Sequence, residues 1–283
     1  MSTRIITDST CDLPAELIQR YGISVIPVGL NLDHRAYQDG VDLSPGDFYR
    51  QLPRLKKIPT TAAPSTSVIE AAYRGANGEG RDIVAIFVAA SFSSLFQTAQ
   101  SVARELGGAP ARQIAVVDSG QLSLGLGWQV LAAAEAAAAG QPPAGVLAAV
   151  AATRRRLKLY ALLDTLEYVR QGGRVSAFTA AVGGLLRIKV NVEVIGGQVT
   201  PVFKTRTRRQ GMEKLAELAR RLGPLERLAI LHAHSPEDAQ RLARELASLA
   251  PAPPLMVEVC GAVATHVGPN ALGVAAVSVA PAA

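Results

Sequence analysis

The chain holds 283 residues, of which 49% are hydrophobic, 18% charged and 5% aromatic, with a formal net charge of +6. That length exceeds the usual size of one core and predicts two α/β domains or one large one with a packed interior, while so few aromatics argue against a base-stacking platform for single-stranded nucleic acid. Cys11 and Cys260 stand alone without metal-ligand spacing, so neither a disulfide scaffold nor a zinc site is expected.

The first strand reads as Arg4–Thr7 (RIIT). It runs straight into Asp8, Ser9, Thr10 and Asp12, which read either as caps of the next helix (PAELIQRYG) or as part of a pocket floor. Ser24–Leu30 (SVIPVGL) reads as a second strand. Asp82–Ala90 (DIVAIFVAA) reads as a buried strand, followed by the turn SFSS and a helix through QTAQSVARELG. Ile114–Ser119 (IAVVDS) repeats the pattern, and an Ala-rich helix begins near Trp128 and stops at Gly140, with Pro142 and Pro143 beyond it. This cadence of strand, polar turn and helix predicts a parallel sheet with crossover helices. Ligands of such sheets sit beyond the carboxyl ends of the strands, and DSTCD, SFSS and DSGQ all fall on that rim.

Proline punctuation at Gln141–Gly145 and a helix running to Leu157 mark a transition, so the boundary is expected near 157, giving units 1–157 and 158–283. The second unit opens with Tyr160–Thr165 (YALLDT). Ile188–Phe203 alternates and turns at Gly196-Gly197, a hairpin signal. Arg227–His234 reads as a strand, and Ser235-Pro236 as the N-cap and first position of a helix. The chain closes with a strand, a Gly/Pro/Asn loop and a final apolar stretch. The start MSTRIITDST lacks the basic and apolar regions of a secretory signal, and no run of about 20 apolar residues is free of Gly, Pro and charge; a cytoplasmic protein without stable membrane insertion is expected. Basic clusters at Lys56-Lys57, Arg154–Arg156 and Arg206–Arg209 allow an acidic or phosphorylated partner without demanding one.

Four polar clusters interrupt the apolar background: PTTAAPSTS (Pro59–Ser67), SFSS with Ser93, GGRVS (Gly172–Ser176) and THVGPNALG (Thr265–Gly273). Taken singly, Thr61, Ser65 and Ser93 read as helix caps, His266 as a hydrogen-bonded structural histidine and Arg174 as a solvated turn charge. A nucleophilic enzyme would place Ser93, His266 and Asp8 together, but no G-x-S-x-G elbow surrounds Ser93, and no P-loop or dinucleotide-binding glycine pattern occurs.

Taken together, in order, the clusters resemble the DegV family of bacterial lipid-binding proteins, over essentially the whole chain. IITDSTCDLP is similar to the family's D-S-x-x-D-L-P signature, and PTTAAPS to its T-T-S-Q-P-S segment with Ala62 and Ala63 in place of Ser and Gln. SFSSLFQTA resembles S-x-L-S-G-T-Y-Q-S-A, with Ser93 at the ligand-binding serine and Ser94 and Leu95 replacing Gly and Thr. GGRVS, IKVNVEVIGGQVTPVFKTRTR and THVGPNALG resemble the second-domain core and H-x-G-P-G-A-x-G, with Asn270 for a Gly.

The resemblance implies two α/β domains, the N-terminal one with a mainly parallel sheet and the C-terminal one with a mixed sheet, enclosing a cavity for one long-chain fatty acid. It places the acid's carboxyl group near Thr61 and Ser93, with His266 in the same polar network. It implies no metal, no cofactor beyond the bound acid and no catalysis by this chain, because in the family a separate ATP-binding kinase subunit phosphorylates the carboxyl group. Arg174, Lys204, Arg206 and Arg209 are candidates for docking that subunit or steering the phosphate, against their reading as a solvated basic face. Two other readings compete: a Ser/His acyl-ester hydrolase, and a regulatory module without a small ligand.

Overall fold

The computed structural model describes residues 3–77, 82–106, 113–174, 176 and 188–279. Val175 of the GGRVS cluster and Gly107, the last residue of QTAQSVARELG, lie outside them.

The first half runs β1 (Arg4–Asp8), a 3-10 turn (Ser9–Cys11), α1 (Ala15–Tyr21), β2 (Ser24–Ile26), β3 (Gly29–Leu32), β4 (Arg35–Gln38), α2 (Pro45–Gln51), β5 (Thr60–Ala62), α3 (Thr66–Asn77), β6 (Ile83–Phe87), α4 (Leu95–Leu106), β7 (Ile114–Asp118), α5 (Ser123–Ala138) and α6 (Pro143–Arg156). The second half runs β8 (Leu157–Leu163), α7 (Glu167–Gln171), β9 (Lys189–Ile195), β10 (Gln198–Thr205), α8 (Arg208–Arg220), β11 (Leu225–His232), α9 (Pro236–Leu246), β12 (Leu255–Glu258), α10 (Gly261–Val267) and β13 (Leu272–Ser278).

The expected architecture is present. Strands β2-β1-β6-β7 form a wholly parallel sheet. Every residue of β6 is buried, which is why its sequence is apolar throughout rather than alternating. The second sheet, β10-β9-β8-β13-β11-β12, is mixed, with β11 and β12 its one parallel pair. A small antiparallel sheet, β4-β3-β5, stands beside the first. Residue 157 is the first of β8, directly after α6. One apolar core runs through both halves, because α5 packs against β1 and β6 on one side and β8 and β13 on the other.

Three sequence expectations change. SVIPVGL is two strands in two sheets, since Pro27 removes a ladder donor between β2 and β3. The Ala-rich helix starts at Ser123 rather than near Trp128. Gly125 and Gly127 weaken its first turns on propensity alone, but a Cβ at Gly127 would overlap the Cys11 carbonyl, so close packing demands them. Ser235 does hold the N-cap position of α9, with Pro236 following, yet its hydroxyl makes no capping bond.

The hairpin is where Gly196-Gly197 predicted it, with both residues at positive φ (54° and 78°) in a two-residue loop. Its tip docks on the rim of the parallel sheet. Gly197 N donates to Gly120 O (2.8 Å), Gln121 Nε2 to Val194 O (2.9 Å), and Ser91 Oγ to Gly197 O. A Cβ at Gly197 would lie 2.5 Å from Ser91 Oγ. Gly197→Ala is therefore expected to lower stability by about 2–3 kcal/mol, combining backbone strain with the clash. A chemical-denaturation midpoint equal to that of the parent would show that the docked turn tolerates a side chain.

Candidate functional site

A cavity lies between the two large sheets, enclosing about 1200 Å³ of space free of protein atoms, its opening included. Its walls follow from strand register. Val192, Ala161, Gly273 and Leu231 are directly opposite one another across β9, β8, β13 and β11 and form one row of the floor. Val194 and Val199 form a cross-strand pair beside it. On the other side stand Val28, Val88 and Leu122 from the first half, with Val259, Ala262 and Val263 at one flank.

Polar groups are few, and three of them come from far-separated motifs. Thr61, Ser93 and His266 all line this cavity. β5 carries Thr61, held in register by Leu30 of β3. His266 sits in the last turn of α10, a helix hidden in the sequence by its glycine start and seven-residue length. The two side chains, 205 positions apart, meet with Thr61 Oγ1 and His266 Nε2 3.0 Å apart. Burial and then the nearby Arg174 charge push the His266 pKa down to about 4, so the ring is neutral at physiological pH. His266 Nδ1 is buried without a partner, packed where a Cβ on Gly172 would overlap it. An orphaned N–H is costlier than an orphaned lone pair, so the hydrogen-bond network assigns the proton to Nε2. Nε2–H then donates to Thr61 Oγ1.

Ser93 is both cap and wall: its Oγ accepts from Leu95 N (3.2 Å) while the residue lines the cavity. The hydroxyl oxygens of Thr61 and Ser93 are thus already engaged as acceptors, and their O–H protons remain to donate into the cavity. Arg174 is no freely solvated turn charge. It is half-buried against the cavity, with Nε on Phe92 O (3.2 Å) and Nη1 on Gly172 O (2.8 Å), tying the Ser93 turn to the end of α7. Lys204 and Arg206 do not line the cavity; both are exposed, Lys204 opposite Val190 on edge strand β10 and Arg206 just beyond its end. Arg209, also exposed, faces Glu213 at 3.8 Å.

Ser93, His266 and Asp8 are not assembled as a catalytic set. His266 engages Thr61, while Asp8 accepts from Thr10 N and Val88 N, each at 2.9 Å. The first motif does not cap α1 either, whose N-cap is Pro14 without a side-chain bond. Thr10, one of the residues read as a possible pocket floor, does line the cavity, and so does Ser123, a hydroxyl that the sequence reading missed. Each hydroxyl donates to an acid of the first motif, Asp8 and Asp12 respectively, and nothing local marked Ser123 as a wall residue.

The fold and site define a two-domain α/β protein with a largely apolar cavity whose wall carries Thr61, Ser93 and His266. Residues 2–279 match the family described as "Uncharacterised protein, DegV family". The chain belongs to the DegV family. It is 34% identical over 275 residues to a DegV domain-containing protein of Streptomyces coelicolor, covering 95% of this chain and 96% of that one. It is 33% identical over 279 residues to one of Deinococcus radiodurans, covering 97% and 98%. A DegV family protein of Thermus thermophilus, solved for its fatty acid binding, shares the fold with a TM-score of 0.88 at 29% identity, covering 99% of this chain and all of that one (100%). Among the described residues no helix is long and apolar enough to cross a membrane.

Proposed function

We propose that this chain binds one long-chain fatty acid in the cavity and presents its carboxyl group at Thr61, Ser93 and His266 for phosphorylation by a separate ATP-binding kinase subunit. The observation that carries the reading is the convergence of Thr61, Ser93 and His266, from three distant motifs, on the wall of one largely apolar cavity, with Thr61 Oγ1 3.0 Å from His266 Nε2. A sixteen-carbon chain gains on the order of 10 kcal/mol from burial, at about 0.8 kcal/mol per methylene, before association costs. A buried carboxylate would offset several of those without donors. Hydroxyl donors to a charged acceptor supply that compensation, and being neutral they accept a carboxylate or an acyl phosphate alike. The T. thermophilus relative's fatty acid binding supports the same ligand class here.

On this reading the chain is a cytoplasmic carrier that needs no cofactor and does no chemistry alone. Arg174, beside the head group, steers the incoming phosphate, and exposed Lys204 and Arg206 offer charge to the kinase subunit. Protein purified under native conditions and then denatured is expected to release about one equivalent of a long-chain fatty acid by mass spectrometry. A stoichiometric polar metabolite in its place would defeat the proposal. Addition of ATP and a fatty acid kinase subunit should yield acyl phosphate, and neither component alone should.

A further inference from the structure

Asp12 of the first motif and Asp39, just past the end of β4, do not line the cavity, and they converge on α10. Cys260 N, at the N-cap of that helix, donates to Asp12 Oδ1 (2.9 Å), and Gly261 N, its first residue, donates to Asp39 Oδ1 (3.1 Å). Both carboxylates are held from behind: Ser9 Oγ donates to Asp39 Oδ2 (2.9 Å), and Ser123 Oγ donates to Asp12 Oδ2. Ser9 in turn accepts from Val28 N (3.1 Å), so the brace rests on the chain just before β3. The seat is tight, since a Cβ at Gly261 would lie 2.8 Å from Leu30 Cδ1 and 3.0 Å from Phe48 Cδ2. At the other end of α10, Gly268 packs on the Tyr168 ring, where a Cβ would approach Cδ2 to 2.6 Å.

We propose that Asp39, with Asp12, is a positioning residue for His266: the two carboxylates fix the N-terminus of α10 on the first domain and thereby hold the imidazole against Thr61. A helix of seven residues is about 10 Å long. A tilt of roughly 10° about its seated end would move the last turn by about 2 Å, enough to break a hydrogen bond. The fold brings Thr61 and His266 from different domains, so their 3.0 Å contact depends on this joint more than on either local strand or helix. The inference rests on the fatty-acid reading only for what the dyad binds, not for how it is placed.

The test uses the full chain, freed of lipid, and the side-chain nitrogen NMR signals of His266. The parent and Asp39→Asn, whose amide oxygen still accepts from Gly261 N–H, should both show a neutral Nε2–H ring that takes up a proton only near pH 4. Asp39→Ala should show an imidazole titrating close to the ordinary 6.5, and on reloading with palmitate should retain it at least tenfold more weakly. If Asp39→Ala does not fold, Gly261→Ala keeps both carboxylates while pushing the helix off them, and should shift the same signals. An unchanged His266 signature in whichever of these two variants folds overturns the proposal, as does lost palmitate retention with that signature intact. A parent that carries and binds no fatty acid would defeat the ligand reading alone, because the NMR comparison is made without ligand.

Discussion

Alanine at both Thr61 and Ser93 should empty the cavity: the double variant is expected to bind a long-chain fatty acid about 10²- to 10⁴-fold more weakly than the parent. On the proposed reading each hydroxyl donates to the charged carboxylate, an interaction worth about 1.5–3 kcal/mol when its partner is left buried and unpaired. The apolar walls, and hence the gain from burying the chain, are untouched, so the loss falls on the head group. Folding should survive. Thr61 keeps its backbone ladder to Leu30, and Ser93 gives up one cap bond to Leu95, a loss of about 0.5–2 kcal/mol. Thr61→Ser, which keeps the hydroxyl, should bind within a few-fold of the parent. Mass spectrometry of the denatured variants, beside their thermal unfolding curves, separates the outcomes: full lipid occupancy in a folded double variant would remove the carboxyl site from these residues.

A second large effect concerns acid. Burial raises the pKa values of Asp8, Asp12 and Asp39, that of Asp12 from 3.8 to about 7. A carboxyl raised on folding binds its proton more tightly in the folded chain, so stability grows as pH falls through the folded value. Between pH 8 and 6.5, Asp12 alone contributes a gain of about 1 kcal/mol. Below 6.5 the histidines oppose it. Burial lowers His232 and lowers His266 from 6.5 to about 4, so the unfolded chain takes up their protons first, and His266 alone withdraws about 3 kcal/mol by pH 4. The parent should therefore gain stability from pH 8 to 6.5. Asp12→Asn should gain less than the parent over that interval, and His266→Gln should gain more than the parent from pH 6.5 to 5. Urea midpoints at pH 8, 6.5 and 5 check all three; a parent that weakens steadily from pH 8 downward would show that the acid cluster does not bind protons on folding.

The fully apolar β6, the apolar run Leu228–Leu231 within β11, the positive-φ glycines of the hairpin and the proline-flanked end of α5 were legible in the sequence, because they depend on backbone preference and burial within a few residues. α10 was not, since its length and glycine start give a weak local signal, and the groups that receive the N–H of Cys260 and of Gly261, Asp12 and Asp39, lie more than 200 residues away. The start of α5 was missed for the same kind of reason: Gly125 and Gly127 look like helix breakers until Gln121 and Cys11 are seen against them.

The rim of the parallel sheet shows the division most clearly. Sequence placed DSTCD, SFSS and DSGQ at the carboxyl ends of β1, β6 and β7, and they are there. What each turn does was decided by the second sheet, which lies over that rim. Asp12 seats α10, Gly120 and Ser91 receive the hairpin tip, and Ser93 faces the chamber. By itself, then, the sequence determined the α/β class, the order of most elements and the motif residues that could carry polar chemistry, because helix and strand periodicity, glycine and proline act locally. Only the tertiary structure decided that Thr61 reaches His266, that Ser93 shares their cavity and that Asp12 and Asp39 meet the N-terminus of α10, because contacts across 205 residues depend on how two sheets pack, not on any signal within either segment.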